Sequence, residues 1–69
     1  MVFTVIWYGQ QGVVEKQPFD AERDARDHAQ TSFAARQQND GIVAVEVRKH
    51  DGTVVFSLAG GGGVLDGGG

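Results

Sequence analysis

The residues that could do chemistry are few. His28 and His50 are the only imidazoles in a chain of 69 residues that has no cysteine. Asp24 stands one helical turn before His28, and Asp51 directly follows His50. General acid–base work needs such groups to converge on one reacting atom. A His28 on a helix rim and a His50 at a hairpin tip do not converge. Asp20, Asp24 and Asp27 line a solvated helix face among balancing arginines. No carboxyl there is set apart as the raised member of an acid–base pair. Ser32, Ser57 and Tyr8 have no evident base or oxyanion donor beside them, so nucleophilic catalysis is not supported. Without cysteine, disulfides and thiolate metal sites are excluded. The run Gly60–Gly63 lacks the helix and the Lys-Ser/Thr pair that a phosphate cradle needs after it. No cofactor, metal or catalytic residue is expected, and the chain does not read as an enzyme.

Composition narrows the alternatives. Six basic residues face nine acidic ones, a formal net charge of -3. That is enough for solubility but lacks the basic excess that phosphate-backbone binding requires. A nucleic-acid-associated role would rest on Trp7 and Tyr8 stacking against bases, beside Glu15 and Glu46 expected near Tyr8. The opening VFTVIWYG is too short for a membrane span and has no basic region before it. A cytoplasmic, soluble protein is the expectation. A chain this short buries a thin core and commonly leans on a staple or a partner subunit.

The elements that must position these residues centre on one helix, expected over Asp20–Asn39. Asp20 is the expected N-cap, and Asn39-Asp40-Gly41 is a stop signal with Gly41 left-handed. Ala21, Ala25, Ala29 and Phe33 recur every fourth residue and form a stripe of mostly small side chains. Before the helix, Val2–Tyr8 is a strand apolar on both faces, which suits a central place. Gly9–Gly12 is a turn, and Val13–Gln17 is a short strand ended by Pro18 at a sheet edge. After the helix, Ile42–Lys49 alternates, Asp51-Gly52 reads as a two-residue hairpin turn, and Thr53–Leu58 returns. That turn sets Val47 opposite Phe56, Val45 opposite Leu58 and Arg48 opposite Val55.

The fold class is therefore α+β. The order is ββαββ, with an antiparallel sheet of spatial order 2-1-3-4 and the helix on one face. One domain covers residues 1–59. The glycine-rich stretch 60–69, with Val64 and Leu65 in it, is expected to be a flexible tail. The expected core is Phe3, Val5, Trp7, Val14, Ala25, Ala29, Phe33, Val43, Val45, Val47, Phe56 and Leu58. The alternative turns Ile6 and Tyr8 inward. An alanine-faced helix wants the larger side chains opposite it, which favours Trp7 inside.

One helix cannot cover both faces. The outer face should carry Thr4, Thr53 and Ser57 and an apolar centre, Ile6, Tyr8, Val13, Ala44 and Val55, ringed by Glu15, Glu46 and Arg48; Thr4 and the apolar centre are the candidate interface. Such a face resembles an interface, and the competing reading is an ordinary mixed sheet face in water. The implied function is a non-catalytic interaction module that homodimerises, or binds another protein, through this face. Strand edges offer a second route.

The aromatic first strand, the helix DAERDARDHAQTSFAAR and the closing Asp51-Gly52-Thr53-Val54-Val55-Phe56 together resemble short bacterial ββαββ proteins classed as domains of unknown function. The resemblance covers residues 2–58. It implies a compact bacterial protein and carries no active-site motif.

Overall fold

The computed structural model describes residues 2–60. The glycine-rich stretch, with Val64 and Leu65, lies outside the described residues from position 61 onward. The elements are β1 (Phe3–Gly9), β2 (Gly12–Phe19), α1 (Glu22–Asn39), β3 (Ile42–Lys49) and β4 (Val54–Ala59). They form one sheet of order β2-β1-β3-β4 with all neighbours antiparallel. This is the expected ββαββ arrangement, with β1 central and α1 packed chiefly on β3 and β1.

The inner face holds the core. Val5, Trp7, Ala25, Ala29, Ile42, Val45 and Val47 are buried together, with Phe3, Phe19, Phe33, Val55, Phe56 and Leu58 packed against them. Ala25 and Ala29 present no bulk. The helix can therefore sit close to the sheet, and the valines and Trp7 fill the space.

Three bulges, one in each strand except β1, account for where residues depart from simple alternation. In β2, Tyr8 pairs with Val13 but Trp7 pairs with Glu15, so Val14 is the extra residue. Val14 was expected in the core and is instead 51% exposed. In β3, Tyr8 pairs with Ala44 and Gly9 with Ile42, so Val43 is extra. Ile42 takes the buried place expected for Val43, because a bulge reverses the facing of every residue beyond it.

The β3–β4 hairpin differs in a compensated way. Gly52 N–H donates to Lys49 O, and Lys49 N–H donates to Thr53 O, both at 2.8 Å. Gly52 has φ +94°. The loop is thus three residues, His50 to Gly52, with the left-handed glycine such a loop requires. Arg48 then pairs with Val54, Val55 bulges, and the expected pairs Val47–Phe56 and Val45–Leu58 are restored.

β2 runs two residues further than expected, through Pro18 to Phe19. Proline is tolerated because β2 is an edge strand. The helix consequently starts later. Ala21, in extended conformation, is the N-cap in place of Asp20, and no side chain caps the first turn. At the other end Asp40 N–H donates to Arg36 O at 2.8 Å, and Gly41 takes the expected left-handed conformation, φ +68°.

Candidate interaction surface

The pairings place Thr4, Ile6 and Tyr8 of β1 on the outer face, beside Val13, Lys16 and Pro18 of β2 and Ala44, Glu46 and Arg48 of β3. Ser57 and Ala59 of β4 lie opposite Glu46 and Ala44. α1 lies on the opposite side, so no second layer covers this face among the described residues.

A fixed polar network crosses it. Tyr8 Oη donates to Glu46 Oε1 at 2.7 Å, and Arg48 Nε donates to the same oxygen at 3.0 Å. The hydrogen bond to Glu46, partial burial and the carboxylate charge hold the Tyr8 phenol above its ordinary pKa. The hydrogen bond from Tyr8, then the contact with Arg48, lower the Glu46 carboxyl. Ile6, flanked by Lys16 and Glu46, is only 8% exposed although no helix covers it. Its neighbours on the face bury it. Val13, at the end of the same face, is 53% exposed.

The expected site residues divide accordingly. Thr4, Ile6, Tyr8, Val13 and Ala44 share the outer face. Val55 does not stand with them, because the β4 bulge turns it into the group packed against the core. Glu15, expected on the outer rim, faces α1, where Arg36 Nη2 meets its Oε1 at 2.6 Å. The cause is the Val14 bulge, which exchanges Glu15 for Lys16 on the outer side. Strand residues on this face therefore carry two cations, Lys16 and Arg48, against one carboxylate, Glu46, in a chain of net charge -3.

The histidines are separated in role as well as in sequence. His50 is exposed in the β3–β4 loop. Asp51 beside it accepts from Thr53 N–H at 2.9 Å, and that bond lowers its carboxyl pKa. His28, expected on an open helix rim, is half-buried against aromatic rings. Its centroid lies 6.0 Å from that of Trp7, edge-on, and 5.2 Å from that of Phe19. Gln17 Oε1 accepts from Trp7 Nε1 at 2.7 Å and lies 3.0 Å from His28 Nε2. A carbonyl oxygen has two lone pairs and can serve both. Arg36 completes the cluster, its guanidinium 4.7 Å over the Trp7 ring and its Nε 3.0 Å from Asp40 Oδ2.

Sequence reasoning missed this cluster. The signal was available in part, since Trp7, Glu15 and Gln17 share a face once Val14 is removed from the count. Its members fill one another's hydrogen-bonding and stacking positions. Trp7 is fully buried, so it is withdrawn from any base-stacking surface.

Among the described residues, no three His, Asp or Glu side chains lie close enough together to hold a metal ion. No helix there is long and apolar enough to cross a membrane. A depression of about 620 Å³ lies between the β1–β2 turn and the end of α1. It is lined by glycines, Gln10, Gln11, Val13, Val14 and Asp40, with no histidine. Comparison with family models, curated proteins and solved structures finds no match for this chain.

Proposed function

We propose that this chain is a non-catalytic interaction module whose recognition surface is the outer sheet face and whose partner is another protein. The observation that carries the proposal is the Tyr8–Glu46–Arg48 network on a sheet face without a covering layer. Tyrosine and arginine are the side chains most useful at the centre of a protein interface. Here both are held in place by one carboxylate, so little side-chain freedom remains to be lost on binding. Val13 and the rim of Ile6 add apolar area. Lys16 and the rest of the Arg48 guanidinium add donors. The matching partner surface is apolar at its centre with carboxylates at its margin. The absence of cysteine suits work in a reducing compartment, and we place the chain in the cytoplasm.

The test begins with capture on the immobilised chain. The captured protein, once identified, is titrated into the ¹⁵N-labelled chain. Shift changes should concentrate at Thr4, Ile6, Tyr8, Val13 and Ala44. Val13→Asp and Lys16→Glu should each weaken the complex about tenfold, or about 1.4 kcal/mol, with circular dichroism unchanged. Changes confined to the exposed face of α1, or full binding by both variants, would overturn the proposal.

A further inference from the structure

The two edges of the sheet are not alike. The β2 edge carries the Val14 bulge, Lys16 and Pro18. Each is a device that discourages a further strand from adding. The β4 edge has its bulge only at the start, at Val55. Beyond it Phe56-Ser57-Leu58-Ala59 continues in regular pairing with no charge and no proline.

The direction of the β4 backbone groups follows from its last bond. Gly60 N–H donates to Val43 O at 2.9 Å. Hydrogen-bonding direction alternates along an antiparallel strand. Leu58 and Phe56 therefore point their N–H and C=O groups at β3, and Ala59 and Ser57 point theirs outward. Among the described residues no other strand meets that edge.

The core is also open along this edge. Phe56, Leu58 and Phe33 pack against the buried cluster but remain only partly covered. α1 reaches over β4 with few side chains. Arg26 sits 5.3 Å over the Phe56 ring, and Phe33 and Gln37 lie beside Gly60.

We propose that β4 pairs with β4 of a second copy of this chain, giving a two-fold symmetric dimer with a continuous eight-stranded sheet. The axis passes through Ser57. The two Ser57 residues then exchange backbone hydrogen bonds, and Phe56 of each copy lies opposite Leu58 of the other on the helix side. A second copy fits this edge for three reasons. It brings a helix layer at the same height over its own sheet, so both half-covered rows close against each other. The pairing strand is uncharged, so like copies do not repel along it. The antiparallel arrangement sets Arg26 of one copy near the Phe33–Gln37 end of the other, keeping the two arginines apart.

Spacing permits the pairing. Three strand separations of about 4.8 Å put the two β3 strands about 14 Å apart. Helices lying over β3 and β1 clear each other at that distance. Dimerisation leaves both outer faces open. It is therefore independent of the partner-binding proposal and would present that surface twice.

Sedimentation equilibrium of the full chain across micromolar to millimolar concentrations tests it, together with amide hydrogen exchange. A dimer is expected, with the Ser57 and Ala59 amides exchanging at least tenfold more slowly at high than at low concentration. Ser57→Pro should yield a monomer. If that variant fails to fold, N-methylation of the Ser57 backbone in a synthetic chain removes the same donor without touching the β3 ladder. Lys16→Glu, which alters the outer face, should leave the dimer intact. A monomer at millimolar concentration, or a dimer whose Ser57 and Ala59 amides exchange freely, would overturn the proposal.

Discussion

A single side-chain oxygen organises the interior polar chemistry. Gln17 Oε1 is within hydrogen-bond distance of both the Trp7 indole nitrogen and the His28 ring. Gln17→Leu removes the acceptor and leaves a buried N–H unpaired, at a cost of about 1–3 kcal/mol. Urea unfolding followed by Trp7 fluorescence measures this, and Gln17→Glu, which keeps an acceptor, should lose much less. On the outer face the controlling group is the Glu46 carboxylate. Its pKa is lowered in the folded state, first by the hydrogen bond from Tyr8. The stability it contributes is therefore complete above its unfolded pKa and is lost as pH falls through the folded value. Glu46→Gln should flatten this acid limb in a pH series of thermal melts. Tyr8→Phe should move the Glu46 carboxyl titration upward, read by ¹³C NMR. The Tyr8 phenol is shifted the other way. Its contribution is complete below the unfolded pKa and is lost as pH rises through the folded value.

Among the elements, α1 has the clearest unused stabilisation. Its N-cap is Ala21, with no side chain accepting from the first turn. Ala21→Ser supplies an acceptor and should raise stability by about 0.5–2 kcal/mol, measured by denaturant unfolding. Gly41→Ala, at φ +68°, should lower it by about 1–2 kcal/mol in the same assay. The strand order, the helix and its alanine stripe were legible in the sequence because periodicity and turn residues carry them. The bulges were not. An extra residue at Val14, Val43 or Val55 changes no composition, yet it reverses which side the following residues face. That is why Glu15 stands on the helix side beside Arg36 rather than on the outer rim, and why Ile42 displaces Val43 from the core. The outer face was legible at Thr4, Ile6, Tyr8, Val13 and Ala44. Its polar network was not, because Tyr8–Glu46–Arg48 depends on register across two strands. The hairpin pairs Val47–Phe56 and Val45–Leu58 were read correctly for a reason only partly right, since a longer loop and a bulge offset each other.

The whole molecule is small, with principal extents of 33 × 26 × 21 Å. At 0.05–0.15 kcal/mol per residue its stability is about 3–10 kcal/mol. Trp7, the largest fully buried side chain, is worth about 3–5 kcal/mol against alanine. Trp7→Ala should therefore remove about a third or more of that stability, read as a lowered urea midpoint by circular dichroism. The two sides differ in chemistry as well. On the helix Glu22, Asp24 and Asp27 are balanced by Arg23, Arg26 and Arg36, whereas the outer sheet face bears Lys16 and Arg48 against Glu46, with Tyr8 and Val13 beside them. A photo-crosslinking residue placed at position 16 on the sheet, or at position 27 on the helix, decides between them in cells. The expected result is a discrete protein adduct from position 16, diminished by Val13→Asp, and none from position 27. An adduct from position 27 alone would contradict the assignment of the outer sheet face as the recognition surface.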